Sequence, residues 1–138
     1  MASILNPYIN FDTKTKNAME FYKTIFGGTL TMSTFKEAGV PSEGAEADKI
    51  MHAMLVADNG ITIMASDTPA HMEYKPGNNI SVSLSGNDEA ELRGYWDKLS
   101  EGAQISMPLG KAPWGDTFGM LTDKFGIQWL VNIAEKKS

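Results

Sequence analysis

A hairpin that occurs twice constrains this chain more than any other feature. Asp58-Asn59-Gly60-Ile61-Thr62-Ile63-Met64 is echoed by Asp123-Lys124-Phe125-Gly126-Ile127-Gln128-Trp129-Leu130, with one residue inserted in the second turn. The echo extends to two helical stretches. Ala18, Tyr22, Ile25 and Gly28 have the same mutual spacings as Leu92, Trp96, Leu99 and Gly102. A duplicated supersecondary unit follows, each copy reading strand, helix, then three strands.

Pattern places the elements. Ile4 to Phe11 reads as a strand, and Asp12 or Thr13 caps a helix whose apolar positions Ala18, Met19, Tyr22, Ile25 and Phe26 recur every three or four residues. Gly27-Gly28 stops that helix. Thr29 to Lys36, Lys49 to Asp58 and Ile61 to Ser66 read as strands. Glu37 to Ala47 reads as a mobile loop, and Asn59-Gly60 as a two-residue hairpin turn. Asp67 to Asn78, with Pro69 and Pro76-Gly77, connects the copies. The second copy begins at Asn79 to Ser85, where Ile80, Val82 and Leu84 alternate with serines. A helix to about Ser100 is capped by Asn87 or Asp88, with Glu91 in capping-box position. Gln104 to Met107, Thr117 to Asp123 and Ile127 to Ala134 supply the remaining strands. One domain spans 1–138, with modules at about 1–66 and 79–134. A half with one helix cannot cover both faces of its own sheet, so two halves side by side would curl into a cup with the helices outside.

Composition excludes several classes. A net charge of −5 with scattered basic residues argues against nucleic-acid binding. The absence of cysteine removes thiolate chemistry and disulfides, and fits a reducing cytoplasm. No apolar run is long enough to span a membrane, and no secretory leader pattern opens the chain.

The order of elements, with the run Trp114-Gly115-Asp116-Thr117-Phe118-Gly119 through Asp123, Phe125-Gly126, Trp129 and Asn132, resembles the vicinal oxygen chelate superfamily of glyoxalases, bleomycin-resistance proteins and dioxygenases. It resembles the PhnB-like branch in particular. Asn6-Pro7-Tyr8, Glu20-Phe21-Tyr22 and Phe26-Gly27-Gly28 extend the likeness over essentially the whole chain. The resemblance implies an α+β fold of two βαβββ modules forming a curved mixed sheet with helices outside, a homodimer, and a ligand in the cup. Metal-dependent members carry a His near the start of the first strand of each half and a Glu on its last strand. Those positions fall at Pro7, Asn79, Met64 and Leu130; three of these side chains cannot hold a hard divalent ion, and the single Asn79 amide would be a weak ligand alone. No metal and no cofactor is therefore expected.

The remaining candidates are binding residues. His52 shares a strand face with Ile50, Met54 and Val56. A packed strand histidine is its commonest role, and a ligand contact follows if that face is the cup. His71, in the connecting loop, is a rim candidate. Tyr8 adds a phenol. Ser81 and Ser83 form a hydroxyl stripe without a nucleophile elbow. Trp114 and Trp129 are core aromatics or a stacking wall, and Trp129 adjoins a position that binds metal in relatives. Asp116 and Asp123 are expected to cap local backbone amides. No glycine-rich nucleotide loop follows a strand, which disfavours a methyltransferase. The expected function is a metal-free cup holding a small amphipathic molecule. The alternative is a lyase, isomerase or dioxygenase, metal-dependent or metal-independent. The catalytic residues are unknown.

Overall fold

The computed structural model describes residues 3–39, 41 and 43–135. The chain is α+β and divides into two compact units, Met1–Pro76 and Gly77–Ser138, at a point inside the connecting segment. Unit 1 contains β1 (Tyr8–Phe11), α1 (Thr15–Phe26), β2 (Thr29–Thr34), β3 (Ile50–Val56) and β4 (Thr62–Asp67), in the sheet order β1-β4-β3-β2. Unit 2 contains β5 (Val82–Gly86), α2 (Glu89–Leu99), β6 (Gln104–Lys111), β7 (Thr117–Thr122) and β8 (Gln128–Ile133), in the order β5-β8-β7-β6. In each sheet the first strand pairs parallel with the last and the other pairs are antiparallel.

Alternation along the strands separates two faces in each unit. In unit 1, Ala53, Leu55, Ile63 and Ala65 are buried with Ala18, Met19, Tyr22 and Ile25 of α1. In unit 2, Leu84, Leu121, Trp129 and Val131 are buried with Leu92, Trp96 and Leu99 of α2. Gly28, after α1, takes φ +87, and a Cβ there would strike the Val56 carbonyl and lie 2.5 Å from the Ala57 Cα. The helix therefore returns to its sheet through a place that only glycine fits.

Several local expectations change. The first strand begins at Tyr8 rather than Ile4, and β5 at Val82 rather than Asn79. The N-cap of α1 is Lys14, with no side-chain cap; the buried Asp67 instead accepts from Thr15 N–H at 3.1 Å and from Ile50 N–H at 2.8 Å. Asp88 caps α2 as its spacing suggests, accepting from Glu91 N–H at 3.1 Å. The two hairpin turns are equally long. Ala57 N–H donates to Ile61 C=O and Asp123 N–H to Ile127 C=O, each at 2.8 Å, enclosing three residues that end in a positive-φ glycine, Gly60 or Gly126. This three-residue loop with glycine in the left-handed region replaces the two-residue turn. Asp123 therefore corresponds to Ala57, and no residue is inserted. Val40 and Ser42 of the expected Glu37–Ala47 loop lie outside the described residues. Its later part forms a 3-10 turn, Gly44–Glu46, tied down by Glu46 accepting from Ala70 N–H at 2.9 Å.

Candidate functional site

The face of the unit 1 sheet opposite α1 carries ordered rows of side chains. Tyr8 stands beside Met64, Met64 beside Met54, and Met54 beside Thr31. In the next row, Asn10 stands beside Ser66, and His52 beside Ser33. The Tyr8 and His52 rings lie 6.0 Å apart, centroid to centroid, at a 36° tilt. Ser66 Oγ donates to Asn10 Oδ1 at 3.1 Å. Tyr8 is 49% exposed, and His52, Met54, Met64 and Ser66 are half-buried. The patch thus combines two rings, two thioethers and a small polar pair, without a fixed charge among the residues of these rows. Such a surface suits an uncharged or weakly polar amphipathic ligand.

The corresponding rows of unit 2 differ in chemistry. Phe118 replaces His52 and Asn132 replaces Ser66, while Ser83 stands beside Leu130 and Ser85 beside Asn132. Trp114, 60% exposed, packs edge-on against Phe118 with centroids 5.4 Å apart. Asn132 Nδ2 donates to Asp116 Oδ2 at 3.0 Å, and Glu135 N–H donates to Asp116 Oδ1 at 2.8 Å. These donors, the Asn132 amide foremost, hold the Asp116 carboxyl below its ordinary value of 3.8.

The sequence candidates are distributed unequally. Tyr8 and His52 come together. Ser83 lies exposed on the matching face of unit 2, and Ser81 precedes β5. Trp114 lies beside Phe118. His71 is exposed in the segment after β4. Trp129 corrects its expectation. It is 1% exposed, its side chain is in the core beneath α2, and its indole N–H donates to Asp123 Oδ2 at 2.8 Å. Neighbours on a strand face opposite ways, so proximity to Leu130 in sequence places Trp129 on the other side. Met64, Ser66 and Asn10 become recognisable as one patch only through the parallel pairing of β1 with β4.

The same pairing tests the divalent-ion site. The first-strand residue beside Met64 is Tyr8 rather than Pro7, and the one beside Leu130 is Ser83 rather than Asn79, because β5 starts later than its pattern suggests. A phenol, a thioether, a hydroxyl and an alkyl chain do not fit a hard divalent cation. Among the described residues, no three His, Cys, Asp or Glu side chains converge.

The sequence model of the glyoxalase/bleomycin resistance protein/dioxygenase superfamily matches residues 5–131. The chain belongs to this superfamily. Protein PA1353 from Pseudomonas aeruginosa has a solved structure that is 34% identical to this chain. It has a TM-score of 0.83, with 98% of this chain and 100% of that one covered. A Bacillus cereus PhnB protein, described as a putative 3-demethylubiquinone-9 3-methyltransferase, is 27% identical with a TM-score of 0.74, covering 96% and 100%. Protein YjdN of Escherichia coli strain K12 is 22% identical, covering 96% of this chain and 97% of its own length. The PhnB-like likeness and the two-module fold agree with the family read from the sequence.

Proposed function

We propose that this protein is a metal-free, PhnB-like binding protein that holds a small amphipathic molecule on the Tyr8–His52 face of unit 1. The observation that carries this reading is the pairing of Tyr8 with Met64 and of Ser83 with Leu130. Positions that hold ligands in metal-dependent relatives carry apolar and weakly polar side chains here. The adjoining rings and methionines offer stacking and adaptable apolar contact, and Ser66 and Asn10 offer hydrogen bonds. Ser83 and the Trp114–Phe118 pair offer a second patch of the same kind. The protein acts in the cytoplasm as a homodimer, in keeping with the family's habit of pairing chains.

A small-molecule thermal-shift screen, followed by Tyr8→Ala and His52→Ala, tests the reading. A hit should lose about five- to twelvefold in affinity in each variant, as stacking contacts of roughly 1–1.5 kcal/mol each support. Light scattering of the same samples should report dimers. A hit that binds both variants as tightly as the parent would overturn the assigned face.

An enzymatic reading rests on His52, whose imidazole adjoins the Tyr8 phenol. It would make His52 a general base. Turnover that follows one ionisation and vanishes in His52→Gln, with ligand affinity retained, would establish that reading instead.

A further inference from the structure

The two repeats seat their helices differently. In unit 1, α1 lies across β3, β2 and β4; in unit 2, α2 rests chiefly on β8 and β5. The strand that corresponds to β2 is β6, whose register with β7 shifts between Ile105 and Met107 and again between Met107 and Gly110. Leu30 of β2 is half-buried, whereas Ile105 is 40% exposed. Moving α2 toward β5 while β6 departs from regular pairing leaves a groove of about 530 Å³ between them. That volume lies within the range of small-molecule sites.

Trp96 forms part of the groove wall, with Ile105, Pro108 and Leu109 as its apolar neighbours. Its position is fixed from the sheet side. A Cβ on Gly119 would lie 2.8 Å from Trp96 Cη2 and 2.9 Å from the Leu109 Cα. Trp96 is 8% exposed, yet among the described residues its indole N–H has no acceptor. The one buried side-chain polar atom without a partner among the described residues is the Thr15 hydroxyl, so the Trp96 N–H reaches solvent and is open to a group that enters the groove. At the rim, Arg93 Nε is engaged by Glu89 Oε2 at 2.7 Å, while Asp97 has no ion pair among the described residues. With that pair neutralised internally, the Asp97 carboxylate sets the sign of the rim.

We propose that the α2–β6 groove is a second small-molecule site, separate from the Tyr8–His52 face, which takes a compact aromatic amine. The ring packs against Trp96, Ile105 and Leu109, its π face accepting the Trp96 N–H, and the protonated amine faces Asp97.

Tryptamine and indole-3-acetate share a ring system and differ in charge, so they probe this site directly. The three indole N–H resonances can be followed in nitrogen-labelled protein, with Trp96→Phe identifying one of them. Tryptamine should shift the Trp96 resonance saturably, ahead of that of Trp114. Asp97→Asn should weaken it about fivefold, as expected for losing an exposed charge pair, and indole-3-acetate should bind at least that much more weakly than tryptamine. Equal affinity for the two probes, indifference to Asp97→Asn, or a response at Trp114 alone would overturn the proposal. The last result would instead point to the aromatic pair of unit 2.

Discussion

Asp67 accepts backbone N–H groups from residues 52 and 17 positions away, joining the start of α1 to the start of β3. Removing a buried charged acceptor orphans both donors, so Asp67→Ala should cost about 3 kcal/mol in urea unfolding, and Asp67→Asn clearly less. Thr15, held by that contact, is fully buried, and its hydroxyl has no partner among the described residues. Thr15→Val keeps the shape and removes the orphan, so stability should hold or rise by up to about 1 kcal/mol. Trp129 contributes to stability rather than recognition. Its truncation to alanine should cost about 3–5 kcal/mol and release the Asp123 carboxylate from its indole partner. A Trp129→Ala chain with unchanged stability would contradict its place in the core. Asp116 gives the acid response a sign. Its folded carboxyl is held below 3.8, so its stabilisation is complete above that value and is lost as pH falls through the lower folded value. Glu37 and Glu46, both held below 4.5, act in the same direction. Chemical denaturation from pH 6 to 2 should therefore show stability falling only below about pH 4.5, with Asp116→Asn making the fall shallower.

At the scale of elements, periodicity made both helices readable because each buries one apolar stripe: Ala18, Tyr22 and Ile25 in α1, and Leu92, Trp96 and Leu99 in α2. The Asp88 cap was readable because donor and acceptor lie three residues apart. The α1 cap was not, since Asp67 reaches it from the far end of β4. Strand starts shifted where alternation ran past pairing, as at Ile4 and Asn79. Turn length was hidden for a similar reason. Asn59-Gly60 reads as a two-residue turn until the Ala57–Ile61 hydrogen bond shows which residues close it. The candidate patch was half legible: Tyr8, Asn10, His52 and the methionines stood out as residue types, whereas Ser66, and the grouping of all of them, came only through sheet register. The α2–β6 groove left no pattern in the sequence, because it arises from where a helix settles on its sheet.

For the molecule as a whole, duplication sets one scaffold twice and lets the two copies diverge. His52 answers to Phe118, Ser66 to Asn132 and Met64 to Leu130, so equivalent positions carry different chemistry on the same frame. The family supplies the scaffold, and the side chains at these rows set what it can hold. On the proposed reading those rows hold an organic molecule without a metal. Elemental analysis of protein purified without added metal or chelator, followed by titration with nickel, manganese, iron and zinc, tests it most directly. Well below one ion per chain and no saturable uptake are expected; one ion per chain, bound tightly enough to survive dialysis, would overturn the metal-free reading.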